Sequence, residues 1–328
     1  VIMICMSFTT LLIIWTAADR ISQGAMAIGQ MMAFMQYTAQ VMASFVNLTM
    51  IFTMFPRAVV SARRIREILD AKPVIVDPEN AVSFNPEKRG EIVFDQVSFR
   101  YPHANEDVLH EISFTAKAGT VTAFIGSTGS GKSTLINLIP RLYDVTRGSI
   151  LIDGVDIRQV TQQALRSKIG FVPQKGMLLS GTIHDNLIFG ARDADETIIE
   201  KAVNTAQAAN FIKEKEGQSS FRLSQNATNL SGGQKQRLSI ARALVKQADI
   251  YIFDDSFSAL DFKTDAALRK ALHKEVSEST LLIVGQRVAT IMHADQIIVL
   301  EQGRIAGIGK HHDLLKTCPV YYEIASSQ

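Results

Sequence analysis

The sequence is poor in cysteine, in tryptophan and, over its first fifty-odd residues, in charge. Its two cysteines, Cys5 and Cys318, lie near opposite ends of 328 residues. That excludes a disulfide scaffold and predicts one membrane-buried and one surface thiol in a reducing compartment. The formal net charge is +2, so no strong positive field points to nucleic acid as a partner. There is no internal repeat and no low-complexity tract, which argues against a solenoid or a disordered tail. Between Val1 and Pro56 the only Asp, Glu, Lys or Arg residues are Asp19 and Arg20. A cleaved leader is disfavoured, because the first apolar run has neither a basic start nor a small-residue cleavage site followed by a soluble domain. The chain opens on Val1 inside that run, and we read it as the C-terminal part of a longer protein.

Asp19 and Arg20 divide the charge-poor segment. Val1 to Ala18 is near the lower length limit of a membrane-spanning helix, with Trp15 where an interfacial aromatic would sit. Asp19 to Gly24 reads as a polar turn. Met26 to Phe55 is a second apolar stretch, long enough for a tilted span. Arg57, Arg63, Arg64 and Arg66 follow directly, which places that end in the cytoplasm by the positive-inside rule. The second span carries Gln30, Gln36, Gln40 and Asn47, which fit either interhelical glue or the wall of a polar pathway. Nine of the 11 methionines precede Pro56. They fit lipid-facing filler or an adaptable lining for varied ligands.

From Arg57 to Asp70 apolar residues keep helical spacing with a basic face, so the helix is expected to run on and stop near Lys72-Pro73. Residues 73–89, with Pro78 and Pro86, read as a linker without a core of its own. The expected organisation is therefore two membrane helices over 1–56, a helix extension and linker over 57–89, and an α/β domain over 90–328. Within that domain Glu91 to Arg100 alternates as an antiparallel edge strand would. Ile112 to Thr115, Ile169 to Pro173, Asp249 to Phe253, Thr280 to Val284 and Gln296 to Leu300 read as further strands. Ser149 to Ile157 reads as a hairpin turning at Asp153-Gly154. Residues 180–245 are mostly helical, with a polar break from Glu216 to Asn229. A helix is expected over Asp265 to Glu275.

The stretch that carries chemistry is V-T-A-F-I-G-S-T-G-S-G-K-S-T, residues 121–134. Val121 to Ile125 is apolar enough for a buried parallel strand, and Lys132 onward has helical periodicity. Strand, glycine-rich loop and helix in that order make a phosphate cradle. Gly126, Gly129 and Gly131 let the backbone turn so that successive N–H groups, with those of Ser127, Thr128 and Ser130, converge on one point near a helix N-terminus. Lys132 would reach outer phosphates, Ser133 would offer a hydroxyl to Mg²⁺, and Thr134 would lie near the inner phosphates. A second glycine-rich turn, Leu230, Ser231, Gly232, Gly233 and Gln234, opens another helix. If the two turns cannot reach one nucleotide within a chain, they meet across a dimer.

Together these segments resemble the ATP-binding cassette transporters, specifically a half-exporter with membrane helices ahead of its cassette. The resemblance covers the whole chain. It implies two α-helical transmembrane segments followed by an α/β P-loop NTPase domain with a helical subdomain. It also implies ATP and Mg²⁺ as ligands, a second half-transporter as partner, and a small-molecule, lipid or peptide cargo. The chain would sit in the cell membrane as a multi-pass protein with its cassette in the cytoplasm. Gly126 to Thr134 is similar to the Walker A loop, and Tyr101 to the aromatic that stacks on adenine. Gln174 matches the glutamine that touches Mg²⁺ and faces the membrane helices, and Asp254 the Walker B aspartate that holds Mg²⁺ through water. Ser258 to Asp261 matches the segment facing the partner cassette, and Leu230 to Gln234 the signature that closes over the partner's ATP.

Two positions depart from the family pattern. The residue after the Walker B aspartate is usually Glu and here is Asp255, one methylene shorter. The switch residue after the last core strand is usually His and here is Gln286, which can donate a hydrogen bond but not carry an imidazolium charge. Their coincidence predicts a site that binds ATP and hydrolyses it poorly. The signature is intact, although the preceding L-S-Q-N-A-T-N lacks the charged residues common there. The pattern resembles one half of a heterodimeric exporter. A slow homodimer is the alternative, and a soluble cassette ATPase runs against the two apolar spans.

Overall fold

The computed structural model describes residues 2–328 and divides into two compact units, residues 1–74 and 75–328. In the first unit, helix α1 (Ile2–Ser22) and helix α2 (Ile28–Leu69) form a hairpin. Both are long and apolar enough to cross a membrane, with a mean hydropathy of 1.4 in each. α1 runs past the expected turn and takes in Asp19 and Arg20, so the turn shrinks to residues 23–27. Arg20 lies in the last turn, where the helix dipole favours a cation. Ser22 Oγ donates to the Asp19 carbonyl and Gln23 Nε2 to the Asp19 carboxylate, so side chains serve the frayed end. α2 is continuous through Pro56. At 1.5 Å per residue it is roughly 60 Å long, about twice the hydrocarbon thickness of a bilayer. Gln30 caps α2: its Oε1 accepts from Ala27 N at 3.0 Å.

The second unit begins with a strap rather than a free linker. Val82 N donates to Gln159 O, Gln162 N donates to Asp77 Oδ1, and Arg141 Nη2 donates to Val76 O. The strap ends on a charge node. Lys168 Nζ lies 2.7 Å from carboxylate oxygens of both Asp153 and Asp249, and Arg89 Nε lies 2.6 Å from Asp249. Asp153 also accepts from Gly90 N at 2.7 Å.

An antiparallel sheet comprises β1 (Ile92–Phe99), β2 (Leu109–Ala116), β4 (Arg147–Ile152) and β5 (Val155–Asp156), in the order β2-β1-β4-β5. The strand expected at an edge is thus central: β1 pairs antiparallel with β2 on one side and β4 on the other. Its alternation misled because an antiparallel sheet can leave one face partly wet even at a central strand. A bulge between Phe94 and Val97 sets Gln96 at φ 49°.

The larger sheet comprises β3 (Val121–Gly126), β6 (Ile169–Val172), β9 (Ile250–Asp254), β10 (Thr280–Val284), β11 (Gln296–Glu301) and β12 (Arg304–Gly309). Its order is β12-β11-β3-β10-β9-β6, parallel except for β12. Both faces of its inner strands are buried, so they read as apolar runs. Phe124, Ile252, Leu282 and Ile298 face a core shared with the antiparallel sheet and α3 (Lys132–Leu138). Ala123, Ile125, Phe253 and Val299 join the core of the helical part.

That part holds α5 (Ile183–Leu187), α6 (Glu196–Thr205), α7 (Ala209–Lys213) and α8 (Gly232–Val245). The short pair β7 (Gly181–Thr182) and β8 (Arg222–Leu223) crosses the polar break. The remaining helices are α4 (Gln162–Ser167), α9 (Phe262–Glu275), α10 (Val288–Ile291), α11 (His311–Thr317) and α12 (Pro319–Ser326). Cys318, expected at the surface, is buried at the α11–α12 junction against Gly307 of β12.

Candidate functional site

The site lies beyond the carboxyl ends of β3, β9 and β10, where open parallel sheets gather ligand-binding loops. β3 delivers Gly126, whose backbone is pressed against β11. A Cβ there would lie 2.1 Å from Leu300 O and 2.7 Å from Ser130 Oγ. Gly131 has φ +98°, and a Cβ on it would meet Leu109 Cδ2 at 2.7 Å. These two positions exclude a side chain for different reasons, close approach at the first and both approach and conformation at the second. Lys132 opens α3 and folds back over the loop, donating from Nζ to Gly126 O at 2.9 Å, Ser127 O at 2.7 Å and Ser130 Oγ at 3.2 Å. Burial lowers its pKa, an effect that the nearby Asp254 and Asp255 charges oppose.

β9 ends on Asp254, and the chain then turns through Asp255 at φ 47°. Both carboxylates are buried. Ser133 Oγ donates to Asp254 Oδ1 at 3.2 Å, so the hydroxyl and carboxylate expected at a magnesium ion already face one another. Burial raises the pKa of Asp254, and Asp255 raises it further while the Ser133 hydrogen bond lowers it. Among the described residues no group of three His, Cys, Asp or Glu could hold a metal unaided. One carboxylate with one hydroxyl suits Mg²⁺, which keeps waters and takes other ligands from substrate phosphates.

Asp255 is held by the two glutamines singled out from the sequence. Gln286 Nε2, just past β10, donates to Asp255 Oδ2 at 2.8 Å, and Gln174 Nε2, just past β6, approaches the same oxygen at 3.4 Å. Burial is the largest influence on Asp255 and raises its pKa, with the Gln174 contact opposing it. A carboxylate whose oxygen already accepts from an amide is a weaker base toward water.

Tyr101 follows β1, and its hydroxyl lies 3.0 Å from Thr134 Oγ1. Its ring packs edge-on against Phe99 and Tyr143, with centroids 4.9 and 5.2 Å away. The second glycine-rich turn is organised separately. Ser231 Oγ accepts from Gln234 N, and Gln234 Oε1 accepts from Ser231 N at 3.1 Å, a capping box on α8. Among the described residues no hydrogen bond joins this turn to Gly126–Thr134. It leans instead on the segment after Asp255: Ala259 N donates to Gln236 Oε1 at 3.3 Å, and a Cβ at Gly233 would lie 3.2 Å from Ala259 O. Asp261 caps α9 by accepting from Thr264 N, which lowers its pKa.

The family model described as "ABC transporter" matches residues 109–258, from β2 through both glycine-rich turns to the residues after Asp255. The chain is 43% identical over 320 residues to an uncharacterized ABC transporter ATP-binding protein of Mycobacterium bovis, covering 96% of this chain and 54% of that one. This chain carries an ABC transporter domain.

It is also 36% identical over 317 residues to an ATP-dependent lipid A-core flippase of Xanthomonas oryzae pv. oryzae, covering 96% of this chain and 53% of the relative. Its fold is similar to that of a bacterial Atm1-family ABC exporter with ATP bound, at a TM-score of 0.81 and 32% identity, covering 98% of this chain and 57% of that one. The ABC chain thus spans about half the length of the relatives it matches. In its cassette, the structure gathers Gly126–Thr134, Gln174, Asp254, Asp255, Gln286 and Tyr101 around one mouth, and sets Leu230–Gln234 with Ala259 apart from it. Sequence reasoning missed Tyr143, which carries no motif, and Leu300, whose backbone closes the loop from behind. It also missed the Asp255–Gln286 hydrogen bond, since the two residues are 31 positions apart.

Proposed function

We propose that this chain is one subunit of an ATP-driven ABC exporter, with residues 1–56 as the last two helices of a membrane domain, 57–89 as helix extension and linker, and 90–328 as the cassette. It sits in the cell membrane with its cassette in the cytoplasm. Its own pocket holds ATP: Gly126 to Thr134 cradle the phosphates, Tyr101 supports the base, and Ser133, Asp254 and Gln174 are the side chains that would hold Mg²⁺. Bound Mg²⁺ would neutralise phosphate charge. This pocket hydrolyses poorly, and Leu230 to Gln234 complete the hydrolytic pocket of a different partner subunit. The observation that carries this reading is the 2.8 Å hydrogen bond from Gln286 to Asp255. The short carboxylate is occupied by an amide where a longer one would polarise water, and a misplacement near 1 Å at a reacting centre costs about 10²-fold.

Closure of two cassettes over two ATP molecules would turn the membrane helices outward, and hydrolysis in the partner's pocket would reset them. The cargo is a small molecule, lipid or peptide, and similarity to a relative named as a lipid A-core flippase supports an amphipathic one. The test is ATPase of the purified pair. Ser231→Ala in this chain should abolish most turnover, and Asp255→Asn should barely change it. Loss of turnover in Asp255→Asn would overturn the asymmetric reading, and substantial ATPase from this subunit purified as a homodimer would replace it with two equal slow sites.

A further inference from the structure

Helix α10 begins two residues after Gln286, and its N-cap residue, Arg287, makes no side-chain cap hydrogen bond. The cap comes from elsewhere in the chain. Gln328, just past α12, accepts from Val288 N through Oε1 at 2.7 Å and donates from Nε2 to Gln286 O at 2.6 Å. One carboxamide thereby satisfies the carbonyl before Arg287 and the N–H after it. This is the pattern a neighbouring strand's peptide would make, and Arg287 between them is extended at φ −106°, ψ 130°. One bond holds the carbonyl of Gln286, whose side chain reaches Asp255 Oδ2, and the other holds the N–H of Val288 two residues on. A second clamp lies one residue further on, where Arg269 Nη1 of α9 donates to Ala289 O at 2.7 Å while its Nη2 pairs with Asp265 Oδ2 at 2.7 Å. α10 is only four residues long, too short to hold its own start without such partners.

We infer that Gln328 is a positioning residue for the nucleotide pocket: its amide holds the 286–288 backbone so that the Gln286 side chain stays aimed at Asp255 and at the ATP bound beside it. The inference rests on the reading of Gly126–Thr134 as an ATP site, and it is independent of which pocket hydrolyses. Gln328 touches neither Asp255 nor the phosphate loop, so its influence must pass through Gln286.

That dependence gives a test by double-mutant cycle, read as retention of radiolabelled Mg²⁺-ATP by the intact transporter in detergent. Ser231→Ala is present throughout, so turnover in the partner's pocket does not drain the signal. Gln328→Ala should shorten retention about fivefold to tenfold, the lower end of what two lost hydrogen bonds are worth, because their effect reaches the nucleotide only through Gln286. In a Gln286→Ala background the same change should have no effect. Gln328→Glu keeps an acceptor for Val288 N but sets a carboxylate against Gln286 O, so it should be as weak as Gln328→Ala. Unchanged retention in Gln328→Ala, wild-type retention in Gln328→Glu, or an equal loss in both backgrounds would each overturn the inference. Thermal melting of each variant separates a general loss of folding, which would move both arms equally. Absence of ATP retention in the Ser231→Ala parent would instead count against the ATP-site reading itself.

Discussion

On the reading proposed above, replacing Asp255 by Glu and Gln286 by His should turn a holding pocket into a hydrolytic one, and the two substitutions should depend on each other. Asp255 Oδ2 already sits 2.8 Å from Gln286 Nε2. A glutamate extends the carboxylate by roughly 1.5 Å, one carbon–carbon bond. Pushed straight outward it would collide with that amide, so Asp255→Glu alone should gain little, because Gln286 must be displaced first. Gln286→His alone should also gain little, because the short carboxylate remains out of reach. Together they should raise this pocket's own turnover about 10²-fold, the amount a misplacement near 1 Å withholds, with a coupling far from additive because the side chains touch. The assay is steady-state ATPase of the purified pair in a Ser231→Ala background, which silences the partner's pocket and leaves this one visible. An Asp255→Glu single variant as fast as the double would refute the steric coupling. No gain in the double variant would refute the view that these two residues limit the site.

Gly126→Ala should abolish ATP binding and lower the melting temperature sharply, since its Cβ would lie 2.1 Å from the fixed carbonyl of Leu300; circular dichroism melting with a binding assay checks it, and a stable variant that binds ATP would refute the backing role of β11. ATP affinity should depend on pH from both sides. Burial raises the pKa of Asp254, so affinity should fall as pH drops, beginning above the ordinary carboxylate range; burial lowers that of Lys132, so affinity should fall as pH rises, beginning below the ordinary lysine value. Equilibrium titration from pH 5 to pH 10 would show a maximum between these limbs, and a flat profile would count against both assignments. Lys168→Met should destabilise the protein by about 3 kcal/mol, because Asp153, 1% exposed, would lose its countercharge; a Lys168→Met, Asp153→Asn double variant should recover much of that in urea unfolding.

Much of the cassette was legible because parallel strands buried on both faces read as apolar runs, and because the phosphate loop states its own turn, charge and helix. β3, β9, β10 and β11 follow the expected stretches within a residue or two. The antiparallel sheet was harder. β1 alternates like a strand with one wet side, and nothing in eight residues tells whether β4 returns to cover its second edge. The strap over 75–89 reads as a loose linker because its bonds go through single backbone groups and Asp77, which leave no periodic trace. At the site, the residue types at 255 and 286 announced a departure from the family, but their contact required two neighbouring parallel strands, β9 and β10, in register. Gln328 was invisible for the same reason, as a lone polar residue with no local partner.

The signature turn has a consequence for how such a protein changes over time. Ser231 and Gln234 cap each other, and Gln236 accepts a hydrogen bond from the backbone of Ala259. None of these bonds passes through the side chain of Asp255 or Gln286. If the chain works in the pair proposed above, substitutions can therefore accumulate in one pocket while selection keeps the other intact, and two copies that began equal have a route to divide the labour without first losing it.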